Sequence, residues 1–111
     1  MHWRGVPEDK QSEWRRAFGA SRDGLVLSVP CPCCGANALR RFYSRGVEDS
    51  SHIVGRAGRG SSWEWCFECG AFEHASCLIP SWWVPVLGVR EEVLTALPQE
   101  IHQQLVALGV A

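Results

Sequence analysis

Cys31-Pro32-Cys33-Cys34-Gly35 and Cys66-Phe67-Glu68-Cys69-Gly70 are the two stretches that decide how this chain folds. Each holds two cysteines three positions apart and closes on a glycine. The spacing lets two thiolates point at one ion, and the glycine permits the left-handed backbone that turns the following N–H groups toward the sulfurs. Two such knuckles predict one tetrahedral four-cysteine zinc site, with Cys31, Cys34, Cys66 and Cys69 as ligands. Four thiolates close the coordination sphere, so the expected zinc is structural and does not activate water. In small peptides such sites contribute roughly 10–16 kcal/mol of apparent free energy.

Thirty-one residues separate the two pairs, more than the ~15–20 of a short ribbon. The excess is a glycine- and serine-rich run, residues 44–62, which reads as a long mobile loop, with a brief strand at His52-Ile53-Val54. Loop-closure entropy grows slowly with length, so the insertion is compatible with the site.

Outward from the knuckles, the patterning predicts a few strands and terminal helices. Leu25-Val26-Leu27-Ser28-Val29 reads as a β run entering the first knuckle, and Leu39-Arg40-Arg41-Phe42-Tyr43 as a strand leaving it. Trp63-Glu64-Trp65-Cys66 and Ala71 to Leu78 alternate with period two on either side of the second. Residues 8–18 read as a helix that Gly19 ends, with Trp14, Ala17 and Phe18 on one face. Leu94, Leu97, Ile101, Leu105 and Leu108 form one apolar stripe. Pro98 splits it into expected helices at 89–96 and 98–108, with Glu91 and Glu92 in the first turn. The expectation is a single α+β domain over 1–111. Its zinc-ribbon core of antiparallel strands spans 25–83, between an N-terminal helix and a C-terminal helical segment at 89–108.

The formal net charge of −1 points to neither nucleic acid nor membrane, but the charges are segregated. Residues 1–60 carry ten Arg/Lys against six Asp/Glu, whereas residues 61–111 carry only Arg90 against six glutamates. No apolar run approaches the ~18 residues of a membrane span. The N-terminus lacks the apolar segment of a signal peptide. With the metal-type cysteine spacing, this places the chain in the reducing cytoplasm rather than in a disulfide-bonded secreted class.

Other chemistry-bearing residues read more plainly. Cys33 lies between two ligands and Cys77 reads as a small buried thiol. His74 with Cys77 has a ligand-like spacing but lacks the base and orienting group of a nucleophilic site, so no catalytic residue and no enzyme activity is expected. Arg40, Arg41, Arg45, Arg56 and Arg59 surround the long loop. They read as solvated or ion-paired side chains, or else as a phosphate grip. Most of the six tryptophans read as core, with at least one of Trp82 and Trp83 facing outward.

Cys31-Pro32-Cys33-Cys34-Gly35 resembles the opening of the small bacterial cysteine-rich "CPCC" zinc-ribbon proteins. The run Ser62-Trp63-Glu64-Trp65-Cys66-Phe67-Glu68-Cys69 resembles their second knuckle, so the likeness covers roughly residues 30–83. Several proteins of this type accompany bacterial toxins as immunity proteins. The resemblance therefore implies a zinc-stabilised protein-binding module that occludes a cognate toxin. The acidic second half suits a basic partner, with Glu64, Glu68, Glu73, Trp82 and Trp83 as the expected binding residues. The alternative expectation is a nucleic-acid-binding ribbon that uses the arginines and exposed tryptophans.

Overall fold

Strand-forming runs flank both knuckles, and the computed structural model, which describes residues 2–45 and 59–111, pairs them in one sheet. In chain order the elements are β1 (Arg4–Gly5), α1 (Gln11–Ala20), β2 (Leu39–Ser44), β3 (Arg59–Cys66), β4 (Ala71–Leu78) and α2 (Gln99–Ala107). The sheet order is β1-β4-β3-β2. The β2–β3 and β3–β4 pairs are antiparallel, and β1 joins β4 in parallel. This is the expected α+β arrangement, with one helix near each end of the chain. Among the described residues no helix is long and apolar enough to cross a membrane.

Strand alternation gives the sheet two faces, and the two helices cover one each. On the first face, Leu39, Cys66 and Ala71 pack with Trp14 and Phe18 of α1, and with Val6, Leu27, Cys31 and Ala38. On the second, Phe42, Trp63 and Trp65 pack with Ile101 and Leu105 of α2. Covering both faces explains why β2 and β3 lack a clean buried–exposed alternation. Trp14, Trp63 and Trp65 are buried, as expected of core tryptophans.

Four boundaries differ from the sequence reading. The 25–29 run is reduced to an isolated bridge, Val26 with Arg40. Hydrogen bonds from Leu27 N to Leu39 O and from Arg41 N to Leu25 O hold it against the outer edge of β2. The N-terminal helix starts later and runs past Gly19 to Ala20, after a 3-10 turn at Glu8–Lys10. The expected helix at 89–96 is a single 3-10 turn, Glu91–Val93. Leu94 is already extended, and the Thr95 hydroxyl accepts the Leu97 N–H at 3.3 Å, local bonding that competes with a helix. Leu97 also precedes a proline, which disfavours helical backbone there, and it is 44% exposed rather than part of the buried stripe.

The fourth difference is the loop. Residues 59–62 are strand, paired with 75–78 of β4. Residues 46–58, with the brief strand expected at His52-Ile53-Val54, lie outside the described residues. Gly60 is required by contact: a Cβ there would press on the Ser44 carbonyl oxygen and stand 2.7 Å from Ile79 Cδ1. At that point the chain leaving β4 crosses the end of β3 toward β2.

Candidate metal centre

The two knuckles have the same geometry. In the first, Gly35 N donates to Cys31 O at 2.8 Å; in the second, Gly70 N donates to Cys66 O at 2.9 Å. Gly35 and Gly70 have φ of 79° and 80°, left-handed values that would strain any residue with a Cβ. Phe67 N donates to Ala38 O at 3.1 Å and ties one knuckle to the other. The first knuckle precedes β2 and the second joins β3 to β4, so antiparallel pairing of β2 with β3 brings them to one end of the sheet. Leu39 stands opposite Cys66 in that register.

Cys31, Cys34, Cys66 and Cys69 thereby converge, their sulfurs all within 4.8 Å of one another. Cys31 Sγ lies 3.9 Å from Cys69 Sγ, and Cys34 Sγ lies 3.7 Å from Cys66 Sγ. A tetrahedron of thiolates at ~2.3 Å from zinc has edges of about 3.8 Å. The four expected ligands are thus positioned to bind one metal ion, with dimensions that suit zinc. All six cysteines are free thiols. Burial pushes the Cys31 thiol well above its ordinary range and raises Cys66 to about 11. At Cys69 burial acts the same way, but the Ala71 amide and the neighbouring sulfhydryls outweigh it and lower the pKa. A divalent cation supplies the charge that lets four such sulfurs ionise together.

No family model matches the chain, and no curated protein or solved structure matches it.

The surroundings of the site were less legible than its ligands. Arg40 reaches back from β2, its guanidinium 4.7 Å from the centre of the Phe67 ring; burial lowers its pKa, and a thiolate at Cys66 would act against that. His102 of α2 also stacks on Phe67, the ring centres 5.5 Å apart. Its Nδ1 accepts the Trp65 Nε1–H at 2.9 Å. The stripe pattern gives His102 only as a neighbour of Ile101, so its role depends on docking that no local signal reveals.

Cys33 is half-buried against the first-face core, and its N–H donates to Cys31 Sγ at 3.3 Å. His74 and Cys77 do not converge, because strand alternation puts them on opposite faces. His74 stacks on Trp63 at 4.5 Å and donates from Nδ1 to the Ser62 carbonyl, whereas burial pushes the Cys77 thiol up.

The five residues expected to bind a partner are dispersed. Glu64 and Glu73 are opposed across β3 and β4, on the face that α1 covers. Glu64 accepts the Trp14 Nε1–H at 3.2 Å, and Glu73 faces Arg15 at 3.5 Å. Burial, and then the charge of Glu73, raise the Glu64 pKa to about 7. Glu68 is exposed on the second knuckle. Trp82 and Trp83 are half-buried at the β2 edge, with Trp82 over the Arg41 guanidinium at 4.8 Å and Trp83 against Phe42 and Tyr43.

Arg41 is only 2% exposed, and its guanidinium donates to the carbonyls of Phe18, Ser21 and Gly24. It terminates α1 and is not available to a phosphate. Arg45 and Arg59 are exposed, and Arg56 lies outside the described residues.

Proposed function

We propose that this chain is a zinc-stabilised protein-binding module, and that it acts as a cytoplasmic immunity protein that covers a cognate bacterial toxin. The observation that carries the reading is the surface of the segment between β4 and α2. Val84 and Leu87 are 76% and 87% exposed, and Leu108, also exposed, meets the backbone at Gly88. Glu91 and Glu92 lie exposed just beyond. Apolar side chains rimmed by carboxylates suit an interface with a basic protein, where a few desolvated anchors give affinity and charge gives association rate. The resemblance of residues 30–83 to immunity-type ribbons supports the same reading. The closed four-thiolate centre supports a structural metal and a non-enzymatic role.

The nucleic-acid alternative is less well supported, because Arg41 is spent on α1 and Arg40 on Phe67. The test is capture from the native host, followed by titration of the captured protein, and of mixed DNA and RNA, against wild type, Leu87→Asp and Arg59→Ala. The proposal expects a toxin partner that Leu87→Asp weakens at least about tenfold, the order of a hot-spot truncation, and that Arg59→Ala leaves unchanged. Salt-dependent nucleic-acid binding that Arg59→Ala reduces, with no toxin captured, overturns it.

A further inference from the structure

The outer edge of β4 is half open, because the chain turns away from it at Glu8. β1 runs parallel to β4 with Arg4 beside Ala71 and Gly5 beside Phe72. Arg4 N donates to Gly70 O, and Val6 N donates to Phe72 O. The next donor along such a ladder belongs two residues on, opposite His74. That donor is the Glu8 N–H, but Glu8 opens the 3-10 turn at Glu8–Lys10, which leads into α1 and carries it off the edge. β1 therefore covers only the first two residues of an eight-residue strand.

Because the carbonyls of Gly70 and Phe72 face this edge, period-two alternation aims the backbone groups of His74, Ser76 and Leu78 the same way. Among the described residues no strand pairs with them. His74, Ala75, Ser76 and Leu78 are exposed, and Leu78 is 66% exposed despite lying in a strand. Edges are ordinarily blunted by lysine, proline, a bulge or an inward charge. His74-Ala75-Ser76-Cys77-Leu78 carries no acidic, lysine, arginine or proline residue.

We infer that this edge joins a second copy of the chain, β4 to β4, antiparallel about a two-fold axis at Ser76, to form one continuous sheet through two protomers. The segment is self-complementary in that register. Ser76 meets its own small copy, Ala75 meets Cys77, and His74 meets Leu78, so no like charges oppose one another. The interface is isologous and closes as a dimer. The chain itself leaves room: after Leu78 it turns off the edge at Ile79 and Pro80 toward Gly60 and Ser44, so a partner's strand does not run into Val6 and Pro7. This surface is separate from the exposed segment assigned to the toxin, and it does not rest on that assignment.

The experiment is sedimentation equilibrium of the metal-loaded protein across a concentration series, with two variants. Ser76→Pro removes an outward N–H while sparing the β3–β4 ladder, since that N–H points away from β3. Ser76→Lys keeps the backbone and places two ammonium groups face to face on the axis. Wild type is expected to approach twice the 12.4 kDa chain mass as concentration rises, and both variants to remain at the chain mass with unchanged metal content. Amide exchange at Ser76 should slow with concentration in wild type only. A wild type that stays at the chain mass throughout, or a dimer that persists in Ser76→Lys, overturns the inference.

Discussion

His102 Nδ1 accepts the Trp65 indole N–H at 2.9 Å, a polar tie between α2 and the sheet beside the packing of Ile101 and Leu105. An accepting Nδ1 requires the proton on Nε2, so the ring is neutral in this arrangement. Burial, and then the charge of Arg40, lower the His102 pKa below its ordinary value. A histidine with a depressed folded-state pKa contributes stability above its unfolded value, and loses it as pH falls, because only the unfolded chain takes the proton. Stability should therefore decline as pH drops below about 6.5. His102→Asn, whose amide oxygen can still accept from Trp65, should flatten that part of the profile. Urea midpoints from pH 7.5 to 5.5 check this, and equal slopes for the two proteins would refute it.

Metal content should follow the four converging sulfurs. One zinc per chain is expected, lost or sharply weakened in Cys34→Ser and Cys66→Ser, whose sulfurs lie 3.7 Å apart in the wild type. Cys33→Ala should keep its zinc, because Cys33 is not one of the four converging residues. Chelation should unfold the ribbon end of the sheet, since a structural zinc is worth roughly 10–16 kcal/mol in small peptides. Metal analysis by mass spectrometry, with near-ultraviolet circular dichroism before and after a chelator, reads both results.

Arg41 should behave as a core residue. Its three carbonyl acceptors sit at three different positions, Phe18, Ser21 and Gly24. Lysine cannot reproduce that fork. Arg41→Lys should cost about 3 kcal/mol, the scale of breaking a buried charged network, whereas exposed Arg59→Ala should stay within ~0.5 kcal/mol. Denaturant midpoints separate the two, and equal effects would return Arg41 to the surface.

Legibility in the sequence divided along the range of the interactions. The four ligands were readable because three-residue spacing and a closing glycine are local requirements of a knuckle. The strands at 39–43, 63–66 and 71–78 were readable from alternation. What distant packing decides was not. Nothing local distinguishes Arg41, held by the end of α1, from Arg59, which is exposed. Likewise, a glutamate in an acidic half suggests a binding face, but helix α1 folds over Glu64. β1 is two residues long and exists only because β4 is there to accept it.

Glu64 supplies the last prediction, because its carboxyl works against the fold when ionised. It is opposed to Glu73 across the strands and lies under Trp14. Its pKa is raised to about 7 from an ordinary 4.5, so the folded state holds a proton that the unfolded chain has released. Stability from this group is thus complete below the ordinary value and is lost as pH rises to the folded one. Glu64→Gln removes the charge and keeps an oxygen for the Trp14 N–H. Its amide can also donate toward Glu73, whose Oε2 is buried with no hydrogen-bond partner among the described residues. The variant should be more stable than wild type by on the order of 2 kcal/mol at pH 8, and by little at pH 4.5. Glu64→Lys should unfold or loosen α1, since it buries an ammonium against an indole N–H. Denaturation of the three proteins at both pH values tests the argument. A Gln variant less stable than wild type at pH 8 would mean that Glu64 is ionised and well paired in the folded chain.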